Sequence, residues 1–195
     1  MSLTVIEPVL QAEFYARPVL DVARELIGCT LMHNGVGGVI VETEAYHQDE
    51  PACHAFGGPT PRSKTLFAAP GTAYVYLSYG VHSLLNAVSE PEDVGAAVLV
   101  RALDPTHGKA TMAANRGHSR LHEFCSGPGK LTQALGIGLD SNESSLEVGP
   151  VNIHARPRSF NGSDIVRSQR IGITRAVDLL WRFHAAGNKN VSRPR

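Results

Sequence analysis

Two apolar, β-branched runs separated by Asn34-Gly35 constrain this chain more than any other stretch of it. Asn-Gly is a strong short-range hairpin signal, because both residues tolerate the positive φ that a tight turn requires. Residues 29–33 and 38–46 are therefore read as the two strands of a hairpin, with Gly37-Gly38 pointing to a longer or bulged connection rather than the minimal turn. Period-two alternation puts Ile40, Glu42, Glu44 and Tyr46 on one face of the second strand and Val39, Val41, Thr43 and Ala45 on the other. The second face is core. On the first, two carboxylates about 7 Å apart stand beside an aromatic ring near a strand end. Mutual repulsion lets one of them hold its proton more tightly, which suits acid–base work. The competing reading is an edge strand with solvated glutamates, or a glutamate neutralised by an arginine.

The rest of the chain supplies the setting. Pro18 opens a helix in which Val19, Val22, Ala23 and Leu26 form one buried stripe, stopped by Gly28. Residues 47–71, rich in Pro and Gly and without periodicity, are too long for an ordinary connector and read as a functional loop. Strands are predicted over 72–77, 84–89, 95–103 and 146–155, and helices over 109–115 and 130–135. A strand at 170–174 followed by a short helix within 176–184 completes the chain. With no repeat and no dividing linker in 195 residues, the expectation is a single α+β domain spanning 1–195. It would have a mostly antiparallel, curved sheet surrounded by helices and long loops.

Composition narrows the function classes. Three cysteines and 43% hydrophobic residues exclude a disulfide scaffold and a disordered chain. No apolar run reaches the roughly 18 residues of a membrane span, and no basic region precedes an apolar stretch at the N-terminus, so a soluble cytosolic protein without a membrane partner is expected. The zero net charge hides a gradient. Residues 1–100 carry −7, whereas residues 156–195 carry nine basic and two acidic groups, +7. Arg156, Arg158, Arg167, Arg170, Arg175, Arg182, Lys189, Arg193 and Arg195 thus make a basic terminal segment, read either as a phosphate-contacting surface or as a solvated tail.

Aromatic placement adds a second clue. Of five tyrosines, Tyr74, Tyr76 and Tyr79 fall within six residues. Tyr74 and Tyr76 share a strand face, and Tyr79 beside Gly80 lies at the following turn. Flat rings on a wall and at a turn tip suit stacking on a base and wedging into a base stack, although tyrosine is also an ordinary sheet residue. The candidates for metal ligation, Cys53-His54, His118, His122 and Cys125, lack HExxH or CxxC spacing. Neither a metal nor a cofactor is expected.

Several spaced blocks then occur in one order: Val-Glu-Thr-Glu-Ala-Tyr at 41–46, His54 with Ala-Phe-Gly-Gly-Pro-Thr-Pro-Arg at 55–62, Pro-Gly-Thr-Ala-Tyr-Val-Tyr at 70–76, Tyr79-Gly80, Asn86, Leu-Val-Arg-Ala-Leu at 99–103 and Ser-Gly-Pro-Gly-Lys at 126–130. From about residue 12 to about residue 185 the chain closely resembles the alkyladenine, or 3-methylpurine, DNA glycosylases. The resemblance implies a monofunctional enzyme that excises damaged purines from double-stranded DNA, such as 3-methyladenine and in some members hypoxanthine or ethenoadenine. It acts by base flipping and a water activated by a glutamate. It implies Glu44 as general base with Arg101 beside it, Tyr46, His54 and Tyr76 as walls around the flipped base, and Asn86 at the purine edge. Tyr79 would be the intercalating wedge, and Gly127, Lys130 and Arg170 would hold the DNA backbone. Leu84 stands where the family often has cysteine and Leu66 where it often has methionine, which bears on base preference. His54 is a candidate for protonating neutral leaving bases.

A monomer suffices for one flipped base. The setting would be the nucleoid if bacterial, the nucleus if eukaryotic. Three other readings stand beside this one: a hydrolase of free purine nucleosides, a non-catalytic DNA-binding protein, and a metal-dependent hydrolase. A nucleoside hydrolase has no use for the Tyr79 wedge or the basic segment, and an inert binder has no use for Glu44 in an aromatic pocket.

Overall fold

The computed structural model describes residues 7–157, 160 and 164–192. In chain order they form helices α1 (Ala12–Tyr15) and α2 (Val19–Glu25), then strands β1 (Thr30–His33), β2 (Val36–His47), β3 (Ala73–Ser78), β4 (His82–Val88) and β5 (Ala96–His107). Helices α3 (Lys109–Arg116) and α4 (Pro128–Leu135) follow, then strands β6 (Val151–His154), β7 (Ile165–Ser168) and β8 (Arg182–Ala185). The sheet runs β3-β4-β5-β2-β1-β6, with β8 also on β2 and β7 on β8. Every pairing of these strands is antiparallel. The result is the α+β architecture with a curved antiparallel sheet that the sequence predicts.

The β1–β2 hairpin closes on Asn34-Gly35 alone. His33 pairs directly with Val36, and φ is 49° at Asn34 and 79° at Gly35, so the turn is the minimal two-residue one and not the longer connection expected. The bulge suggested by Gly37 and Gly38 falls on the other edge of the strand, where the ladder to β5 slips between them, and both positions are also crowded. A Cβ on Gly37 would lie 2.1 Å from the Leu31 carbonyl oxygen, and one on Gly38 would lie 2.3 Å from that of Asp104.

β2 is the organising strand. One edge pairs first with β1, ending at Thr30↔Val39, and then with β8 through Glu42↔His184 and Glu44↔Arg182. At this change of partner the ladder to β5 slips, between Ile40 and Glu42 and again between Glu42 and Thr43. A bulge inserts a residue and reverses the parity of facing. Ile40 therefore packs in the main core with Ala45, where strict alternation puts it beside the glutamates. Thr43 also turns inward, its Oγ1 donating to the Ala23 carbonyl of α2 at 2.7 Å.

The main core lies where α2 and α4 meet the sheet. It includes Val22 and Leu26, Leu131 and Leu135, and Val98 and Val100. A smaller cluster of Cys53, Ala55, Leu66, Tyr74, Val88 and Ala97, with Tyr46, Phe67 and Tyr76 against it, joins the 47–71 loop to the sheet. The terminal region departs from expectation. Residues 170–174 are not a strand and 176–184 contain no helix; an irregular segment crosses from β7 to β8. The pairing of β8 with β2 and β7 overrides the local pattern, and the Arg170 side chain fastens the crossing segment to the Ala45 carbonyl at 3.0 Å.

Candidate active site

The bulged half of β2, the β3–β4 hairpin and β5 frame a cleft of about 2080 Å³. Of the residues singled out in the sequence, Tyr46, His54, Tyr76, Tyr79 and Asn86 line it, as do Arg101, Gly127, Lys130 and Arg170. Its volume exceeds the roughly 300–1,000 Å³ typical of small-molecule pockets.

Glu44 lies beneath the lining of the cleft and not on its surface. The residue has no exposed area. Its Oε2 accepts hydrogen bonds from the Tyr46 hydroxyl at 2.8 Å and Arg101 Nη1 at 3.1 Å, and its Oε1 accepts one from the Ile171 N–H at 2.7 Å. The three donors all belong to cleft-lining residues. The sequence expectation that Glu44 faces the cavity alongside Tyr46, Tyr76 and His54 is thus corrected in depth. Burial pushes the Glu44 carboxyl above its usual range, against the opposing pull of Arg101, the Ile171 N–H and the Tyr46 hydroxyl.

Glu42 has the opposite character. Burial would raise it, but Arg101, Arg182 and the Ser192 N–H outweigh burial and hold it below the ordinary carboxylate range. Its Oε1 accepts from Arg101 Nε at 2.9 Å, Arg182 Nε at 2.7 Å and Ser192 Oγ at 2.8 Å, and its Oε2 from the Ser192 N–H at 2.6 Å. Two glutamates on neighbouring steps of one strand are thereby driven apart, one fixed as an anion and one poised to take a proton.

The walls are aromatic. Tyr74 and Tyr76 stack with centroids 5.2 Å apart, and His54 meets Tyr76 edge-on at 4.7 Å. His54 Nδ1 is 3.1 Å from the Tyr74 hydroxyl. Burial and the nearby Arg62 lower the His54 pKa, which favours neutral imidazole at neutral pH. Tyr76 is pushed up to about 12, chiefly by burial, so it stacks as a neutral ring. Asn86 is buried and donates from Nδ2 to the Tyr74 carbonyl at 3.1 Å. Among the described residues nothing donates to its Oδ1. Leu66 and Leu84 are buried in the same lining.

The rim is set by turns. Tyr79 is 92% exposed, with φ of 52°, at the tip of the three-residue loop between the paired Ser78 and His82. Gly127 caps α4, and Lys130 Nζ stands 3.3 Å from Ser126 Oγ. Arg170 does not present its charge at this rim. Its guanidinium is buried, bonded to Glu50 at 2.6 and 2.9 Å, and centred 4.7 Å from the Tyr46 ring. The phosphate contact expected of Arg170 is corrected to an internal one that braces Tyr46. Arg182 is likewise committed inward, whereas Arg175 and Lys189 are exposed and line the cleft. Arg158, Arg193 and Arg195 lie outside the described residues.

Sequence reasoning passed over the Ile171 N–H, Ser192, and Arg182 as a partner of Glu42. No local signal marks them, since each reaches β2 from more than 120 residues away. Among the described residues no three His, Cys, Asp or Glu side chains gather as a metal-binding set, and no helix is long and apolar enough to cross a membrane.

Residues 13–189 match the model of the family described as methylpurine-DNA glycosylase. The chain belongs to this family. A relative from Rhodopseudomonas palustris is 51% identical over 187 residues, covering 96% of this chain and 89% of its own length. One from Bradyrhizobium diazoefficiens is 50% identical, covering 95% and 91%. One from the more distant Methanoculleus marisnigri is 46% identical, covering 94% and 98%. All three are provisionally named 3-methyladenine DNA glycosylase. The methylpurine-DNA glycosylase match takes in β2, the tyrosine hairpin, the Arg101 strand and α4, and so includes every side chain that frames the cleft up to Lys189.

Proposed function

We propose that this protein is a monofunctional DNA glycosylase that hydrolyses the N-glycosidic bond of alkylated purines, 3-methyladenine first, in double-stranded DNA, acting as a monomer. One observation carries the reading: an ionisable glutamate, Glu44, bonded to Arg101 and Tyr46 directly under an aromatic cleft whose rim holds an exposed tyrosine at a hairpin tip. A base inside a duplex cannot reach such a carboxylate, so the nucleotide has to rotate out at a cost of a few kcal/mol. Tyr79 fills the vacated stack. Stacking against Tyr46, Tyr76 and His54 offsets the cost, at about 1–3 kcal/mol per ring, and a cationic purine gains further from the electron-rich faces. The Asn86 amide meets the purine edge, and Leu66 and Leu84 shape the wall.

In the reaction the C1′–N bond breaks with its electron pair leaving on the base, which departs neutral when it began as a cation. Positive charge builds on the sugar, and ionised Glu44 stabilises it. Water oxygen bonds to C1′ and its proton passes to Glu44. Because Glu44 is covered, base entry has to part the Tyr46 hydroxyl from Oε2, after which Arg101 remains to orient the carboxylate. Hypoxanthine and ethenoadenine leave as neutral bases and need a proton. His54, kept neutral at physiological pH, is a poor reservoir for it, so these lesions are expected to be cut more slowly than 3-methyladenine.

The test is single-turnover base release from duplexes carrying one lesion each. Glu44→Gln is expected to slow release by about 10²–10⁴-fold while lesion-duplex affinity stays within a few-fold of wild type. Undiminished release by that variant, or faster hydrolysis of free nucleoside than of duplex, would overturn the assignment.

A further inference from the structure

Arg101 makes three directed hydrogen bonds, and only one of them goes to Glu44. Its Nε donates to Glu42 at 2.9 Å, its Nη1 to Glu44 at 3.1 Å and its Nη2 to Ser192 Oγ at 3.3 Å. The guanidinium is thus held in plane by a carboxylate buried away from the cleft and by the hydroxyl of a cleft-lining serine. Glu42 is fully buried and accepts four hydrogen bonds, two of them from Ser192. Arg182 closes the ring, donating to Glu42 at 2.7 Å, to the Ser192 carbonyl at 3.2 Å and to Ser168 Oγ at 3.2 Å. The assembly joins Glu42 on β2 and Arg101 on β5 to Arg182 on β8 and to Ser192, which is 150 residues from Glu42 in sequence.

We propose that Glu42, Arg182 and Ser192 are positioning residues, which lock the Arg101 guanidinium against Glu44 and so make the docked terminal segment a working part of the reaction centre. The inference rests on Glu44 being the general base. Packing alone does not account for such a cluster. Removing two carboxylates and two guanidiniums from water is costly, and well-packed apolar side chains of equal volume often serve stability as well or better. The cluster supplies direction. With Glu42 and Ser192 in place Arg101 offers Glu44 one Nη, leaving lone pairs on the carboxylate for a water. Without them the guanidinium is able to turn and take Glu44 as a two-pronged partner, occupying those lone pairs.

Charge sharing gives a signature that a structural role lacks. Around Glu44 stand Glu42 and Tyr46 of β2, Arg101 of β5, Tyr76 of β3, Arg182 of β8, and Arg170 with the Ile171 N–H from the crossing segment. Glu42→Gln leaves the Arg101 charge wholly to Glu44, so the acid limb of the rate profile should move to lower pH. Arg182→Gln leaves Glu42 to draw on Arg101 alone, and the limb should move to higher pH. Ser192→Ala removes only a hydroxyl and keeps the N–H bond to Glu42, so it is the variant expected to fold like wild type.

The experiment is single-turnover release of base from a duplex bearing one 3-methyladenine, across a pH series, with active-site titration by a tight-binding abasic duplex. Ser192→Ala is expected to release base about tenfold more slowly, about 1.4 kcal/mol, with duplex affinity and active fraction unchanged, and the two charge variants to shift the acid limb in opposite directions. Wild-type rates in Ser192→Ala overturn the proposal, and so does a charge variant that loses active fraction with no movement of the limb. If either charge variant does not fold, the Ser192→Ala rate decides alone. Glu44→Gln run alongside separates the two ideas: base release surviving in it sinks the general-base assignment, whereas its loss together with an unaffected Ser192→Ala sinks only the positioning role.

Discussion

Glu42 and Glu44 differ by two positions on one strand, and the difference between their surroundings decides what each can do. Each accepts one backbone N–H, but Glu42 meets two guanidiniums, whereas Glu44 meets one guanidinium and a tyrosine hydroxyl under deeper burial. The acid limb of base release is therefore expected above the value of about 4.3 normal for glutamate. Activity should fall as pH drops through the raised Glu44 value, and initial rates in buffers of constant ionic strength check this. A limb at or below 4.3 would mean that burial is outweighed by the three donors. A second expectation concerns Tyr79, the proposed wedge. Tyr79→Ala should weaken discrimination for lesion duplex by roughly 1–3 kcal/mol in binding assays, the worth of one stacked ring, and leave hydrolysis of a free nucleoside unchanged. At this scale the sequence was legible where chemistry is local: the acid pair, the clustered tyrosines and the TyrGly turn announce themselves. The depth of Glu44, the inward turn of Arg170 and the part played by Ser192 do not, because each depends on which distant backbone arrives beside β2.

Single elements follow the same division. Helix α2 and strands β1 to β5 follow from periodicity and turn chemistry, since their partners are near in sequence or their patterns strong. The bulge on β2 has no signature in a run of alternating residues. It arises where β1 ends and β8 begins, and it is what carries Ile40 into the core while leaving both glutamates on the other face. The region after β7 fails as a local reading for the same reason: its conformation is dictated by Arg170 bonded to Glu50 and Ala45, not by propensity. Removing that clamp tests its rank. Arg170→Ala leaves Glu50 buried without its partner and is expected to cost about 3–5 kcal/mol of stability, read from urea unfolding. The salt dependence of DNA binding, in contrast, should keep its slope, because a guanidinium turned inward releases no counterions. A surface phosphate ligand would give the reverse pattern: little change in stability and a slope reduced by about one. Lys130→Ala, on the cleft rim, is expected to behave in that second way.

Across the whole molecule, the general-base role proposed for Glu44 makes its burial a linkage between catalysis and stability. A carboxyl whose folded pKa lies above its unfolded value binds its proton more tightly when folded, so its favourable contribution is complete at low pH and is lost as pH rises through the folded value. Glu42 has the reverse sign: depressed in the fold, it stabilises above the unfolded value and loses that contribution as pH falls through the folded one. Wherever both are ionised, the molecule thus carries Glu44 at a cost and Glu42 at a gain, and Arg101 belongs to both. Comparing wild type with Glu44→Gln isolates the first term, because the glutamine does not titrate. The unfolding free energy of wild type minus that of the variant is expected to rise as pH is lowered through the Glu44 value, by up to about 1.4 kcal/mol per pH unit, over the window in which base release declines. Urea titrations at half-unit steps measure the difference directly. A difference that stays flat across this window would mean that Glu44 ionises as freely in the fold as in the unfolded chain, and that its burial leaves no mark on the reaction.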